Sequence, residues 1–158
     1  MELTQMELIL WRHAEAEDGI DDLARALTPK GRRQAQQMAQ WLKEQLPEDA
    51  RIVVSPAVRT RETADALAMP YTIDPQIAPD CSAEQMLAAS GWPDGHGLVI
   101  LVGHNPAISV LASRLAGTAE SPVAMRRAAA WWFTCDAAQS PRRVMLKTMM
   151  TPSLLASR

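Results

Sequence analysis

Two histidines and two arginines stand just beyond short apolar runs of this 158-residue chain. Arg12 and His13 follow the first run, Arg59 lies shortly after the second, and His104 comes after Leu98–Val102. Arginine binds phosphate oxygens through a planar fork of donors and keeps its positive charge. A histidine among such cations is driven toward its neutral form, in which a ring nitrogen is a nucleophile. These residue types therefore predict that His13 attacks a phosphoryl group held by Arg12, Arg59 and His104.

The elements that must position these residues alternate between strands and helices. The predicted strands are Met6–Trp11, Arg51–Val54, Tyr71–Ile73, Leu98–Val102 and, later, Ala130–Cys135 and Val144–Met149, with a turn at Ser140-Pro141. The predicted helices begin after Thr28, at Ser55-Pro56, after Ser82 and at Ala107, and they end near Leu46, Ala68, Ala89 and Gly117. The polar segment from Glu15 to Ala26 is predicted to be a loop.

This alternation predicts an α/β fold with a mainly parallel sheet covered on both faces. The last two strands should add an antiparallel edge. The length and the 47% hydrophobic content fit one domain over residues 1–158. Ligands of open α/β sheets bind beyond the carboxyl ends of the strands, so the four candidate side chains should meet there. Neighbours in a regular strand point to opposite faces, so the chain must bend for Arg12 and His13 to reach one ligand.

Composition excludes several classes of function. Sixteen basic and eighteen acidic residues give a net charge of −2, which argues against nucleic acid as the main partner. No apolar run approaches the roughly 18 residues that span a bilayer, so no membrane partner is expected. The first residues do not resemble a secretion signal, and Cys81 and Cys135 are not in a paired spacing. A cytoplasmic location is therefore expected.

A metal site is the alternative interpretation of His13 and His104. It would need further ligands at metal spacing, and the two guanidinium groups nearby would repel a cation. Phosphate therefore ranks ahead of a metal ion.

Four blocks of the sequence resemble the histidine phosphatase superfamily, the phosphoglycerate-mutase-like clan. Leu10–Ala16 resembles its Arg-His-Gly signature, and the other blocks are Leu27–Ala35, Ser55–Arg59 with Thr63, and Val102–Pro106. Four blocks in order are far more specific than any single motif. The short chain, Ala14 and the Gly-His-Asn-Pro sequence are most similar to the short bacterial SixA-type phosphohistidine phosphatases.

The resemblance implies a three-layer α/β/α sandwich without a metal or organic cofactor. It implies that His13 accepts the phosphoryl group and that Arg12, Arg59 and His104 form the phosphate pocket. The resulting hypothesis is hydrolysis of phosphohistidine on a partner protein through a phospho-His13 intermediate. The alternatives are a phosphatase for small phosphomonoesters and, less favoured, a phosphate-binding module without catalysis.

Two positions depart from the family pattern. Ala14 stands where most members have glycine, and it would be strained if its φ angle were positive. Many members also carry an acid that protonates an alcohol leaving group, but Asp80, Glu84 and Asp94 match no clear pattern. The imidazole of phosphohistidine can already be protonated on its other nitrogen, so a weak or missing acid suits that substrate.

The loop before the second block offers two further candidates. Asp22 is the remaining candidate for a general acid, and a solvated loop carboxylate is the alternative. Arg25 is expected to touch the substrate or to pair with neighbouring carboxylates. Arg126 and Arg127 are interpreted as a solvated pair rather than as a docking patch. A chain of this length leaves little room for a lid, which favours an open pocket that a protein-borne phosphohistidine can reach.

Overall fold

The computed structural model describes residues 5–136 and 143–156. Its strands are β1 (Gln5–Arg12), β2 (Arg51–Val54), β3 (Thr72–Ile73), β4 (Gly97–Gly103), β5 (Ala130–Asp136) and β6 (Arg143–Met150). Its α-helices are α1 (Pro29–Gln45), α2 (Val58–Asp65), α3 (Ala83–Ser90), α4 (Ala107–Leu115) and α5 (Pro152–Leu155). Short 3-10 turns occur at Asp22–Ala24 and Pro75–Ile77. None of the helices in these ranges is long and apolar enough to cross a membrane.

The strands form one sheet in the order β3-β2-β4-β1-β5-β6. The first four run parallel, whereas β5 and β6 are antiparallel, which confirms the predicted parallel sheet with an antiparallel edge. The register pairs Arg12 of β1 with Gly103 of β4, and Val54 of β2 with Val102. The carboxyl ends of these three strands are therefore level, and the residues that follow them emerge together.

Alternate residues of the strands feed two hydrophobic cores on opposite faces of the sheet. Ile9 and Trp11 of β1 pack on the side of α1 and α2, whereas Leu8 and Leu10 pack on the side of α3 and α4. This alternation is the period of two that a strand imposes on its side chains. It confirms the three-layer α/β/α sandwich, in which the sheet is covered on both faces.

The predicted start of α1 is confirmed in detail. Thr28 accepts a hydrogen bond from the amide of Gly31 at 2.9 Å, and Pro29 occupies the first turn, where a missing N–H is tolerated. The apolar positions Ala35, Met38, Ala39 and Leu42 are buried as expected, and Leu46 follows the last helical residue. Ser82 caps α3 through a reciprocal pair of hydrogen bonds with Gln85.

The predicted start and end of α2 are wrong. The helix begins at Val58 and has no side-chain cap, because its N-cap residue is Ala57. Ser55 lies two residues earlier, where its hydroxyl contacts His104 and accepts from the amide of Ala57. It ends at Asp65, and Ala68 lies beyond it with a φ of 53°. Strand β3 is also shorter than predicted, since Tyr71 precedes it. The predicted turn at 140–141 lies outside the described residues.

Candidate active site

His13 is fixed by the backbone at the end of β1. Its amide donates to the carbonyl of Gly103 at 3.1 Å, and its own carbonyl accepts from the amide of Ala128 at 3.0 Å. The ring atom Nδ1 lies 2.7 Å from the carbonyl oxygen of Ala14. A carbonyl can only accept, so Nδ1 carries the hydrogen and Nε2 carries the lone pair. The half-buried ring therefore presents Nε2 as its nucleophilic atom.

Strand β1 ends at Arg12, and the residues after it are held by hydrogen bonds to α2. The amide of Ala14 donates to Thr63 Oγ1 at 3.0 Å, and that hydroxyl donates to the carbonyl of Arg59 at 2.7 Å. Ala14 is fully buried and does not have a positive φ angle, so alanine is unstrained here. Thr63 on α2 thus ties Ala14, the residue after His13, to the helix that carries Arg59.

The surroundings of His13 favour its neutral form. Burial lowers the pKa of His13 from 6.5 to about 4, and the charges of Arg59, Arg12 and Arg25 act in the same direction. The hydrogen bond to Ala14 opposes this shift but does not overcome it. At neutral pH the imidazole is therefore uncharged, which is the state a nucleophilic nitrogen needs.

The guanidinium groups of Arg12 and Arg59 lie near this ring, and each has an N–H group without a hydrogen-bond partner among the described residues. Arg59, in the first turn of α2, is only 4% exposed and donates to the backbone and side-chain oxygens of Asp22 at 2.7 and 3.1 Å. Arg12 donates to the carbonyl of Met125 at 2.8 Å. The Nε atoms of Arg12 and Arg59 are buried and have no hydrogen-bond partner within the described part of the chain. Both side chains can therefore still donate to an anion.

His104 completes the group from the end of β4. It is 2% exposed, and its ring centre lies 5.2 Å from that of His13. Its Nε2 lies 2.7 Å from the hydroxyl of Ser55, whereas its buried Nδ1 has no partner among residues 5–136 and 143–156. If Ser55 donates to Nε2, Nδ1 carries the hydrogen and is a further donor. Burial, followed by the proximity of His13 and Arg59, lowers the pKa of His104 to about 3.

The two loop candidates, Asp22 and Arg25, pair with each other and with the site. Arg25 Nη1 lies 3.0 Å from Asp22 Oδ1, and Arg25 Nε donates to the carbonyl of Glu17 at 2.7 Å. The hydrogen bond from Arg25, together with that from Arg59, lowers the pKa of Asp22. Asp22 is therefore a carboxylate at neutral pH. Its role as a proton donor stays a prediction, and these ion pairs do not support it.

The first turn of α1 holds the chain just after His13. The carbonyl of Glu15 accepts from the amide of Thr28 at 3.0 Å, and a Cβ placed on Gly31 would lie only 2.0 Å from that same oxygen. The amide of Glu15 donates to Gln34 Oε1 at 3.0 Å. Only glycine permits so close an approach of helix and loop, which explains the residue at position 31.

The structure thus brings together Arg12, His13, Arg59 and His104, as the sequence predicted. It also shows partners that sequence reasoning missed. Ser55 was interpreted as a helix cap, and no local signal marked the carbonyl of Met125. Within the described ranges, no group of three or more His, Cys, Asp or Glu side chains could hold a metal ion.

The fold and the site together define a class of protein: an α/β sandwich that places a neutral histidine among donors suited to a phosphoryl group. The model of the histidine phosphatase superfamily (branch 1) matches residues 8–81. Phosphohistidine phosphatase SixA of Escherichia coli (strain K12) is 30% identical over 120 residues, which cover 70% of this chain and 74% of that protein. The chain therefore belongs to the histidine phosphatase superfamily, and with it to the phosphatases among the hydrolases.

Solved structures agree with this assignment. A structure described as phosphohistidine phosphatase SixA from Nakamurella multipartitia is 26% identical, with a TM-score of 0.76 over 94% of this chain and 96% of that one. The structure of the protein histidine phosphatase SixA complexed with tungstate is also 26% identical, with a TM-score of 0.73 over 95% of this chain and 99% of that one. The fold is thus shared with SixA proteins along nearly the whole length.

Proposed function

We propose that this protein hydrolyses phosphohistidine on a partner protein through a covalent phospho-His13 intermediate. The observation that carries the proposal is the hydrogen bond from His13 Nδ1 to the carbonyl of Ala14, which leaves Nε2 with a free lone pair. The lowered pKa of His13, about 4, keeps that nitrogen unprotonated at neutral pH. The site therefore has a nucleophile that is ready to react without a separate base.

The reaction balances without a general acid. Nε2 of His13 bonds to phosphorus while the bond from phosphorus to the substrate imidazole breaks, and the electron pair of that bond stays on the leaving nitrogen. The leaving ring is neutral when its other nitrogen already carries a hydrogen. Water then attacks the phosphorus of phospho-His13, which releases dihydrogen phosphate and restores the lone pair on Nε2. An alkoxide leaving group, by contrast, would need a proton from an acid.

Arg12, Arg59 and His104 would stabilise the phosphoryl oxygens during both steps. Phosphoryl transfer depends mostly on positioning and on stabilising charge, and buried, preorganised donors supply both. The free donors of the two guanidinium groups and Nδ1 of His104 are suited to these oxygens. Arg59 donates to the backbone and side-chain oxygens of Asp22, so a bound phosphoryl group would compete with Asp22 for these donors.

Three observations support phosphohistidine as the substrate. The relatives described above are named phosphohistidine or protein histidine phosphatases. Asp22, the carboxyl group next to the site, is held as a carboxylate and is poorly suited to protonate an alcohol. His13 is only half-buried, so a ring carried by another protein can approach it. The cytoplasmic location expected from the sequence is part of the same proposal.

Replacement of the nucleophile tests the mechanism. His13→Ala is expected to lower phosphohistidine hydrolysis by about 10⁴-fold or more, because no other group at the site offers an unprotonated nucleophile with the same position. The wild-type protein, quenched during turnover with a ³²P-labelled substrate, should carry acid-labile phosphate that is stable in alkali. His96, an exposed histidine, provides the matched control, and His96→Ala should retain activity and labelling. Full activity of His13→Ala would refute the proposal.

A substrate comparison separates the proposal from its alternatives. We expect a histidine-phosphorylated protein domain to be hydrolysed with a higher kcat/KM than sugar phosphates or nucleotides. A preference for small phosphomonoesters would instead support the small-molecule phosphatase and would require an acid near Asp22. Tight phosphate binding with no turnover of any compound would support the non-catalytic module.

A further inference from the structure

A pocket of about 470 Å³ adjoins the phosphate site on the side of Arg12. Its wall carries four cationic side chains, from Arg12, Lys30, Arg126 and Arg127, together with the residues Thr151 and Ser153 near the start of α5. Arg12 belongs to both sites, so the pocket begins where the phosphoryl pocket ends. A group bound there would lie next to a phosphoryl group bound at His13.

The positive charge of this pocket is largely unbalanced. Lys30 and Arg126 are exposed and form no ion pair within residues 5–136 and 143–156. Arg127 meets a single carboxylate, that of Glu15, at 3.4 Å. Burial and the charge of Arg127 lower the pKa of Arg12, which indicates that these two cations repel each other. A concave cluster of like charges attracts anions and raises their local concentration.

The positive charge of this pocket contrasts with the net charge of the whole chain. The whole protein has a net charge of −2, so its overall charge does not attract an acidic partner. A local positive pocket beside the reacting histidine therefore favours one orientation of such a partner. Complementary charges of this kind guide the encounter and exclude partners of the wrong charge.

We propose that this pocket binds a second anionic group of the substrate, an Asp or Glu side chain that flanks the phosphohistidine on the partner protein. The inference rests on the proposed function, because it places the phosphoryl group at His13 and the flanking carboxylate at Lys30 and Arg126. Arginine and lysine are the usual partners of carboxylates, and hydroxyl donors such as those of Thr151 and Ser153 suit the remaining lone pairs.

Paired peptides test the pocket directly. Two synthetic peptides carry one phosphohistidine each and differ only in whether glutamate or glutamine residues flank it. Because an exposed ion pair changes affinity by a few-fold, two pairs are expected to give wild type about a tenfold higher kcat/KM for the glutamate peptide. The Lys30→Gln/Arg126→Gln variant should lose this preference, mainly through KM, and should hydrolyse the glutamine peptide within twofold of wild type. The preference should also fall as salt is raised.

The control removes equal charge elsewhere. Lys43 lies in the last turn of α1, about 20 Å from Lys30 at the rise of a helix, and Arg114 pairs with Glu84 on α3. Lys43→Gln/Arg114→Gln should keep the preference for glutamate. If this control lost the preference to the same degree, the effect would be one of net charge and the pocket would not be the cause.

Other outcomes overturn the inference in distinguishable ways. Equal kcat/KM for both peptides in wild type rejects the pocket while the proposed function stands. Equal loss on both peptides in Lys30→Gln/Arg126→Gln shows that these residues support catalysis in general and also rejects it. If neither peptide is hydrolysed, the proposed function is wrong, and the inference that the pocket binds a carboxylate of the partner protein is wrong as well. Preferred hydrolysis of a small bisphosphate, lost in the same variant, would assign the pocket to a small molecule instead.

Discussion

Two groups of side chains at the site are held in different ways: the strand-end group of Arg12, His13, Arg59 and His104, and the loop group of Asp22 and Arg25. Arg59 and His104 are almost fully buried, and the backbone around His13 is hydrogen-bonded to β4 and to the segment before β5. In the loop, the side chains of Asp22 and Arg25 are 56% and 26% exposed and are positioned mainly by ion pairs. The strand-end group is therefore positioned by the sheet and by α2, whereas the loop group is positioned mainly by its ion pair with Arg59.

Because of this difference, substitutions in the two regions are expected to have effects of different size. Removing a donor of the strand-end group leaves the buried site without a hydrogen-bond donor that no other residue can replace. Removing a loop charge alters an exposed ion pair, which is screened by water and salt. Substitutions in the two regions should therefore differ in the size of their effect by one or two orders of magnitude.

The strand-end group should show the largest effect on catalysis. Arg59→Gln is expected to lower kcat/KM for phosphohistidine by about a hundredfold or more, because a preorganised charged donor is lost from the phosphoryl site. Arg59→Lys should recover only part of the loss, since lysine keeps the charge but not the planar fork. Arg33→Gln, on the exposed side of α1, provides the control and should remain close to wild type. A loss below tenfold for Arg59→Gln would mean that the strand-end group is not the catalytic centre.

The contact between Gly31 of α1 and Glu15, where the loop begins, should tolerate substitution as poorly as the buried part of the site. Gly31→Ala places a Cβ about 2.0 Å from the carbonyl oxygen of Glu15, a contact that the backbone must move to relieve. We expect the free energy of unfolding in urea to fall by about 3 kcal/mol, at the upper end of the usual cost of overpacking. In Gly19→Ala the new Cβ meets the flexible side chain of Arg25 at 3.3 Å, so its stability should hardly change. Equal free energies of unfolding for the two variants would show that the contact at Gly31 is no more rigid than the loop at Gly19.

The same division explains what could be predicted from the sequence. Strands β1, β2 and β4 were predictable because their residues are apolar runs of strand length, and α1 because Thr28, Pro29 and its buried stripe agree. The edge of the sheet where Arg12, His13 and His104 meet followed from those strands.

Features that depend on contacts distant in sequence were not predictable. Ser55 followed by proline has the local signal of a helix cap, but its hydroxyl binds His104, which is 49 residues away. The pairing of Asp22 with Arg59 also depends on tertiary structure, since the two residues are 37 apart. The pocket brings Arg12 and Lys30, from the first part of the chain, next to the start of α5, and no sequence pattern connects these segments.

The protonation of His13 offers a test of smaller size within the strand-end group. With a pKa of about 4, lowered mainly by burial, His13 should stay neutral down to about pH 5 and become protonated below pH 4. Because only the neutral ring is nucleophilic, the fraction of His13 that can react should be constant from pH 8 to 5 and then fall about tenfold per pH unit below the pKa. An NMR titration of the imidazole resonances measures the pKa of His13 in the free protein. The signal that is lost in His13→Ala is assigned to His13. Protonation of His13 near pH 6.5 would show that its surroundings do not exclude charge.

The same shift has a consequence for stability. The unfolded chain binds a proton at His13 near pH 6.5, whereas the folded chain does so only near pH 4. The unfolded state therefore holds more protons between these values, and the free energy of unfolding should decrease as pH falls through that window. His104, with a pKa of about 3, adds to the decrease and extends it to lower pH. Urea unfolding of His13→Ala at pH 7 and pH 5 should show a smaller decrease than wild type.

The loop should give the smallest effect, and its direction distinguishes two roles of Asp22. If the carboxylate only pairs with Arg59 and Arg25, Asp22→Asn frees these donors, and inorganic phosphate should bind a few-fold more tightly, less so at high salt. Turnover of phosphohistidine should then change less than about fivefold. The neighbouring Asp21→Asn, whose carboxylate makes no capping hydrogen bond, serves as the control. A loss of a hundredfold or more in Asp22→Asn would instead identify Asp22 as a general acid. The loop would then be part of the catalytic centre, and the contrast between the two regions would no longer hold.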